Sequence, residues 1–385
     1  MLKAKVIGTG AAGNKAAIEL ATSNKFDPKD IILINSTDRD IPEEYRDDAI
    51  IFGKSRSKHL GGCGKERAIG RKMIMEDIKN EKINLDAIVD GDTNFVVIVS
   101  STEGGSGSAS TPVLAKYIKN ILRIPVVVVL FFGFNTDARG MQNSIEICQE
   151  IESNFTVIGI SNAKFLEQAN NNRSKAEQLA NQEFCKIVSI LTGQGMEPGK
   201  QNIDRTDLFK LVTTPGYMCV GSTSIKGAKN PSMINGAIKD AIDNSKFVDH
   251  SDKTVKRIGL VFNIAEDMED NIDINGEEFI KVYGSPYEMY THIQYEKDPC
   301  IKWIVAGMNL PVDAINDIYE EYMRAAANVS KKKDGFFNII RSLEGDPENA
   351  IFDMLDDEDD EDEETTDKDN EPSTMERFMR EFCAT

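Results

Sequence analysis

Two stretches of this chain combine residue types that could bind an anion. One is Ile7–Asn14, IGTGAAGN, and the other is Thr102–Thr111, TEGGSGSAST. Each follows an apolar run and precedes a helical pattern. Small residues at such a junction let backbone N–H groups approach a phosphate, and the helix N-terminus adds partial positive charge. The candidate contacts are Gly10, Ala11, Ala12 and Asn14 in the first loop, and Gly104, Gly105, Ser106, Gly107 and Ser108 in the second. A tight strand–helix turn is the plain alternative for either loop alone. A second pattern, Gln201–Val212 (QNIDRTDLFKLV), places carboxylates at Asp204 and Asp207, beside Asn202. Three residues apart at a helix start, the two acids suit N-capping and dipole compensation.

Competing chemistries can be weighed on the same residues. Gly8-x-Gly10-x-x-Gly13 fits the dinucleotide fingerprint, but the second strand ends in Asn35 where an acidic residue should take the ribose hydroxyls. A Walker loop fails because Asn14 follows Gly13 and Lys15 comes one position late. A hydrolase elbow needs G-x-S-x-G, and Ser108 occupies its last glycine position. Two glycine loops on one sheet edge instead suit a polyphosphate held from two sides. Glu103 puts a carboxylate beside the second loop, which a phosphate tolerates only if that side chain turns away or meets a magnesium ion.

These stretches together resemble the tubulin/FtsZ family. EGGSGSA is similar to its signature loop, IGTGAAGN to its first nucleotide loop, INSTD to its second and LGGCGKERAIGR to its third. LANQEF resembles the segment that contacts guanine, with Asn181 at the base position. QNIDRTDLFKLV resembles the synergy loop, carrying Asn202, Asp204 and Asp207. In FNTDARG, Asn135 and Asp137 stand where ribose contacts are expected, and Asn162 matches a sixth-loop asparagine. The resemblance runs over about residues 3–307 and is greatest to TubZ-type tubulins of plasmids and phages, with a clostridial phage or plasmid member as the narrower expectation.

The resemblance implies a GTPase that binds GTP or GDP with Mg²⁺, through metal contacts that it does not assign. It implies head-to-tail assembly with copies of itself into a polar filament, hydrolysis at the contact between subunits, and segregation or positioning of plasmid or phage DNA through a DNA-bound adaptor. An FtsZ-type division filament, a non-polymerising nucleotide sensor and a nicotinamide-dinucleotide oxidoreductase are the rival readings.

The elements that must position these residues alternate. Strands are expected at Ala4–Ile7, Ile31–Ile34, Ala49–Phe52, Phe95–Ser100, Pro125–Phe131 and Phe155–Ile160. Helices are expected at Ala12–Thr22, Lys65–Lys79, Pro112–Leu122, Arg139–Glu152 and Lys164–Asn170. That alternation argues an α/β fold with a doubly wound parallel sheet. Arg173–Leu191 reads as a long central helix, closing a nucleotide-binding region of residues 1–172; the helix and synergy loop occupy 173–214. Residues 215–330 read as a smaller α+β domain. Its expected strands are Tyr217–Gly221, Arg257–Ile264, Phe279–Tyr283 and Ile301–Gly307, and its expected helices are Ser232–Ser245 and Asp313–Ala327.

Residues 331–385 read as a tail. Between Asp353 and Glu371 stand 13 acidic residues and one lysine, a block expected to be disordered. Met375, Phe378, Met379 and Phe382 then recur at helical spacing, as a short terminal helix that could recruit the adaptor or pack on the body.

The net charge of −19 disfavours direct DNA binding. No apolar run reaches membrane-spanning length, the N-terminus lacks a signal-peptide layout, and the six cysteines form no CxxC pair. A cytoplasmic protein without membrane contact is expected. His59, His250 and His292 lie too far apart in sequence to suggest a structural zinc site.

Overall fold

The computed structural model describes residues 1–337, except 24–25, 55–60, 90, 152–153, 250–252, 266–267 and 269–275. The acidic block and the terminal apolar stripe lie outside the described residues, as do His59 and His250.

Ten strands form one sheet in the order β3-β2-β1-β4-β5-β6-β7-β10-β8-β9. The first six are β1 (Ala4–Thr9), β2 (Ile31–Asn35), β3 (Ile50–Ile51), β4 (Phe95–Ser101), β5 (Val126–Phe132) and β6 (Thr156–Ser161), all parallel. β4 and β5, FVVIVSS and VVVVLFF, are almost wholly buried, as a parallel sheet covered on both faces requires. Helices α1 (Gly10–Thr22), α2 (Arg67–Lys79), α3 (Leu85–Ile88), α4 (Gly105–Asn120) and α5 (Ala138–Glu150) supply the connections. The chain moves outward from β1 toward β2, then returns beyond β1 to β4. The switch point therefore falls between β1 and β4, where open α/β sheets bind ligands at their carboxyl edge.

A 3-10 turn, Asn162–Phe165, leads to α6 (Arg173–Leu191). Ala176, Ala180, Phe184, Ile187, Val188 and Leu191 form its buried face, and the Phe184 ring meets Phe131 edge-on at 6.3 Å. Nineteen residues at 1.5 Å each carry α6 about 28 Å. It starts with Arg173 over the Phe134 ring, just beyond β5, and ends with the Thr192 carbonyl accepting from Leu2 N–H before β1. It thus runs from the carboxyl edge of the sheet to the amino edge.

After α7 (Arg205–Val212), β7 (Gly216–Ser224) joins β6, and β10 (Cys300–Met308), β8 (Arg257–Ile264) and β9 (Glu288–Tyr295) extend the same sheet. α8 (Pro231–Asp243), α9 (Glu277–Tyr283) and α10 (Val312–Phe337) complete the elements. One compact unit covers Met1–Tyr319 and a second begins at Glu320.

Three expectations need correction. Phe279–Tyr283 is helical, not a strand. Phe279 and Tyr283, four apart, are both buried, and Phe279 packs on Trp303 at 5.4 Å; so short an apolar run does not reveal its period. The helix expected at Lys164–Asn170 is only the 3-10 turn. The helix expected from Pro112 begins at Gly105, so Ser106–Thr111 form its opening turns and Pro112 lies inside it. β9 was not expected at all.

Candidate functional site

The loops after β1 and β4 are neighbours because these strands pair, with Gly8 opposite Val99. Their backbones touch. A Cβ on Gly10 (φ +71°) would lie 2.8 Å from Gly107 N, and one on Gly107 would lie 2.8 Å from the Thr9 carbonyl. Glycine is required by this approach at both positions. Behind them, the Thr9 and Ser110 hydroxyls share a hydrogen bond, and the Thr111 hydroxyl bonds Ser100 Oγ at 2.8 Å.

Above the two loops is an open cleft of about 330 Å³. It is lined by Gly10, Ala11, Ala12, Gly104, Gly105, Ser106 and Gly107, as expected, together with Thr9, Asn35, Thr37, Gly62, Cys63, Gly64, Lys65 and others. Both helices that open onto it, α1 and α4, lack a side-chain cap and have no acidic residue in the first turn. Their first N–H groups and dipoles are left to an external anion. The Asn35 Oδ1 accepts from Ser36 N–H at 2.9 Å, while its buried Nδ2 finds no partner within the protein. The buried Oδ1 atoms of Asn14 and Asn162 also have none. An unpartnered buried amide is costly, and a phosphate or ribose oxygen bound in the cleft would relieve that of Asn35, which lines it; Asn14 lies beneath the cleft and Asn162 away from its lining, and their oxygens cannot accept from a phosphate. The residues present therefore fit a nucleoside polyphosphate.

Glu103 turns away from this cleft. Its carboxylate accepts from Asn135 N–H at 2.9 Å and packs against Gly133, where a Cβ would lie 2.1 Å from it. It fixes the loop after β5 instead of facing the phosphate cradle.

The third wall is the segment before α2. Gly62 (φ +89°), Gly64 (φ +55°) and Lys65 (φ +67°) curl it over the cleft. Asn143 of α5 donates to the carbonyls of Lys65 (3.0 Å) and Glu103 (3.1 Å), tying this wall to the second loop. Lys65 meets Asp137 at 2.6 Å, and that hydrogen bond holds the Asp137 carboxyl below the usual carboxylate range. Cys63 Sγ and Ser36 Oγ lie 3.5 Å and 2.5 Å from Ser106 Oγ. These wall residues fall in the two stretches, INSTD and LGGCGKERAIGR, that resemble the second and third nucleotide loops, although apart from Asn35 the sequence does not single them out as individual contacts.

Other expected residues have different positions. Asn14 is wholly buried beneath the cleft, its amide donating to the Ile34 carbonyl at 3.3 Å. The Ser108 hydroxyl bonds back to the Gly104 carbonyl within α4. Asp137 caps α5 by accepting from Gly140 N–H at 2.9 Å, and Asn135 adopts a left-handed φ of +52°. Asn162 and Asn181 stand on the 3-10 turn and on α6, away from the cleft lining.

Asn202, Asp204 and Asp207 are brought together, but at the other edge of the sheet. Asp204 is the N-cap of α7, accepting from Asp207 N–H at 2.8 Å, and Asn202 folds back on Gly199. Arg205 donates to Asn94 Oδ1 at 2.9 Å; Asn94 also bonds Lys3 N–H and precedes β4. The length of α6 separates these carboxylates from the cleft, so they cannot serve the cleft of the same chain.

Residues 3–170 match the sequence profile described as Tubulin/FtsZ family, GTPase domain. Cell division protein FtsZ 1 of Methanocaldococcus jannaschii is 28% identical over 233 residues, 59% of this chain and 62% of that protein. Tubulin-like protein CetZ2 of Haloferax volcanii is 22% identical over 240 residues, 60% of this chain and 65% of that protein. The match thus spans less than two-thirds of the length of these relatives. Among solved structures, the GTPγS-form protofilament of Bacillus thuringiensis serovar israelensis TubZ superposes with a TM-score of 0.72 at 16% identity, covering 86% of this chain and 94% of that one. Clostridium botulinum phage c-st TubZ gives 0.60 at 16% identity, covering 85% and 98%. These likenesses establish the fold.

Proposed function

We propose that this chain, which carries a Tubulin/FtsZ GTPase domain over residues 3–170, is a GTPase that assembles head-to-tail and hydrolyses GTP where two subunits meet. The carrying observation is the division of the site. The phosphate cradle opens at the carboxyl edge of the sheet, and Asn202, Asp204 and Asp207 sit at the amino edge. Stacking one copy on the next brings the acids of one to the nucleotide of the other. Such a contact is heterologous and does not close, so it propagates.

The N–H groups at the starts of α1 and α4 hold the phosphates, and Lys65, whose ammonium pairs with Asp137, lines the cleft beside them. By the family resemblance Asn181 on α6 is assigned to guanine, Asn135 and Asp137 to the ribose, and Asn162 to the nucleotide as the sixth-loop asparagine; none of the four is among the residues lining the cleft. Magnesium, when bound, neutralises phosphate charge; Asp40, the carboxylate among the cleft-lining residues, is the group available to hold it. Asp204 and Asp207 orient the attacking water across the contact, as phosphoryl transfer needs positioning more than covalent chemistry.

The cargo reading is plasmid or phage DNA, bound through an adaptor by the C-terminal tail. It rests on the resemblance to TubZ-type tubulins and on the acidic block followed by an apolar stripe in the sequence. Division is the second reading, favoured by the sequence match to FtsZ proteins. No described helix is long and apolar enough to cross a membrane.

Sedimentation tests the main reading. GTP with Mg²⁺ should send the protein to the pellet, and ATP or NAD should not. Tight NAD binding without assembly would remove it. Deleting residues 353–385 should leave GTP hydrolysis intact and abolish capture of adaptor-bound DNA.

A further inference from the structure

We propose that His292, on the far edge strand of the sheet, is the positioning residue for the loop that carries Asn202 and Asp204. The proposal rests on the assignment of that loop to hydrolysis.

The segment between α6 and α7 runs along β9. Lys200 N–H donates to the Ile293 carbonyl at 2.8 Å, and Ile293 N–H donates to the Gln201 carbonyl at 2.9 Å. The approach is so close that a Cβ on Gly199 would lie 2.0 Å from the Ile293 carbonyl oxygen. Two residues beyond Gln201 and one before Ile293, the pairing passes to a side chain. Ile203 N–H donates to His292 Nδ1 at 3.3 Å. Ile203 stands between Asn202 and Asp204, so this bond holds the backbone joining the two polar groups.

The partners around the ring select its tautomer. Gln294 Oε1 accepts from Glu197 N–H at 2.9 Å, and Gln294 Nε2 donates to the Gly195 carbonyl at 2.8 Å and to Glu296. Gln294 therefore presents its oxygen to the imidazole, 2.8 Å from His292 Nε2. Nε2 must carry the hydrogen, which leaves Nδ1 as a lone-pair acceptor for Ile203. Every polar atom in this chain of bonds has one consistent role. His292 is 2% exposed and Gln294 3%, so water cannot replace either partner cheaply. Ile203 is itself buried, against the apolar space shared by Leu208, Leu211 and Val261. The loop is thus gripped on both sides of Asp204, by the histidine before it and by its own helix cap after it.

The required atom is the acceptor at Nδ1, which gives a test that packing alone does not mimic. Asparagine places an amide oxygen near the Nδ1 position, whereas glutamine matches the ring more closely in volume and reaches toward Nε2. Full-length His292→Asn, His292→Gln and His292→Ala should be compared for GTP turnover per pelleted subunit, GTP affinity of the monomer and thermal midpoint, alongside Asp204→Ala. His292→Ala and His292→Gln should lose turnover by roughly ten-fold to a hundred-fold, the scale of a misplaced reacting group. His292→Asn should retain most of it, and monomer affinity for GTP should not change in any of them. If glutamine retains turnover as well as asparagine, or if turnover follows the thermal midpoint, His292 is only a packing residue. If the His292 variants turn over normally while Asp204→Ala does not, the positioning role falls and the shared site stands. If Asp204→Ala is also normal, both fall.

Discussion

Arg67 donates from Nη2 to the carbonyl oxygen of Ser108 at 3.1 Å. Inside α4 that carbonyl should accept from the N–H four residues on, but residue 112 is proline and has none. A buried guanidinium from α2 has taken the place of a missing backbone donor. The same group pairs with Glu146 at 2.8 Å and Glu150 at 3.0 Å, so it binds α5 to the helix that opens on the cleft. Replacing Arg67 by Ala leaves the buried Ser108 carbonyl without a partner, while Glu146 keeps Gln142 at 2.8 Å and Glu150 keeps Arg71 at 3.2 Å. The expected loss is about 2 kcal/mol of unfolding free energy, the scale of an unsatisfied buried acceptor. In a Pro112→Ala background residue 112 again has an N–H to offer, and the cost of Arg67→Ala should shrink by about 1 kcal/mol. Urea unfolding of the four proteins measures the coupling; equal costs in both backgrounds would mean that Ser108 plays no part.

The three glycines of the second loop face different neighbours. A Cβ on Gly105 would lie 2.8 Å from Lys65 Cα, and one on Gly107 2.8 Å from the Thr9 carbonyl, while at Gly104 nothing lies within 4 Å. Gly105→Ala and Gly107→Ala should therefore lower the thermal midpoint and weaken GTP binding together, because backbone must move. Gly104→Ala should leave the midpoint unchanged. Gly104→Glu should abolish GTP binding with the fold intact, by placing an anion in the open space beside the cradle. A Gly104→Glu protein that still binds GTP would place the phosphates elsewhere.

The sequence carried the alternation of β1 to β6 and the two glycine loops, because buried parallel strands are continuous apolar runs and tight turns need glycine. It did not reveal β9, whose residues Glu288–Tyr295 mix charged, aromatic and polar types. An edge strand is buried only in part, and its partners come from β8 and from the segment after α6. For the same reason His292 looked isolated in the sequence, while in space it meets Ile203, 89 positions earlier. The start of α4 was displaced because proline ordinarily marks a first turn; the donor that permits it inside the helix stands 41 positions before Ser108. Asn14 and Ser108 were legible as loop residues but not as buried ones, since their partners are backbone carbonyls.

Lys65 and Asp137 predict a response to acid. The Asp137 carboxyl is held low by the Lys65 hydrogen bond and by Gly140 N–H. A depressed folded-state pKa contributes stability that is present above the unfolded carboxylate value and is lost as pH falls through the folded one. The contribution should begin to fade below about pH 4, the unfolded carboxylate value, and the pair should open as pH falls through the lower folded one, loosening the wall before α2. GTP affinity should fall over that range more steeply in the parent than in Asp137→Asn, which keeps the helix cap without the charge. Both groups are partly exposed, so the effect on global stability should be under about 1 kcal/mol. Identical acid profiles in the two proteins would detach the wall from this ion pair.

Asp204 has two possible duties, and one substitution separates them. Its carboxylate caps α7 through Asp207 N–H, and it is exposed at the sheet edge opposite the cleft. Asp204→Ala removes the cap and the charge together, and should cost about 1 kcal/mol of stability whatever its role in hydrolysis. Asparagine is an equally good cap, because its side-chain oxygen accepts the same N–H. Asp204→Asn should therefore keep the thermal midpoint and the monomer's GTP affinity, and filaments should still sediment. What it lacks is the negative charge that would orient water against the neighbouring subunit's nucleotide. Hydrolysis should fall by roughly 10²-fold, the scale of a lost acid–base group, and filaments should persist instead of turning over. Asp207→Asn, one turn along the same helix, should act in the same direction. Normal turnover in both variants, with the cap intact, would falsify the shared site and leave these residues as the start of a helix.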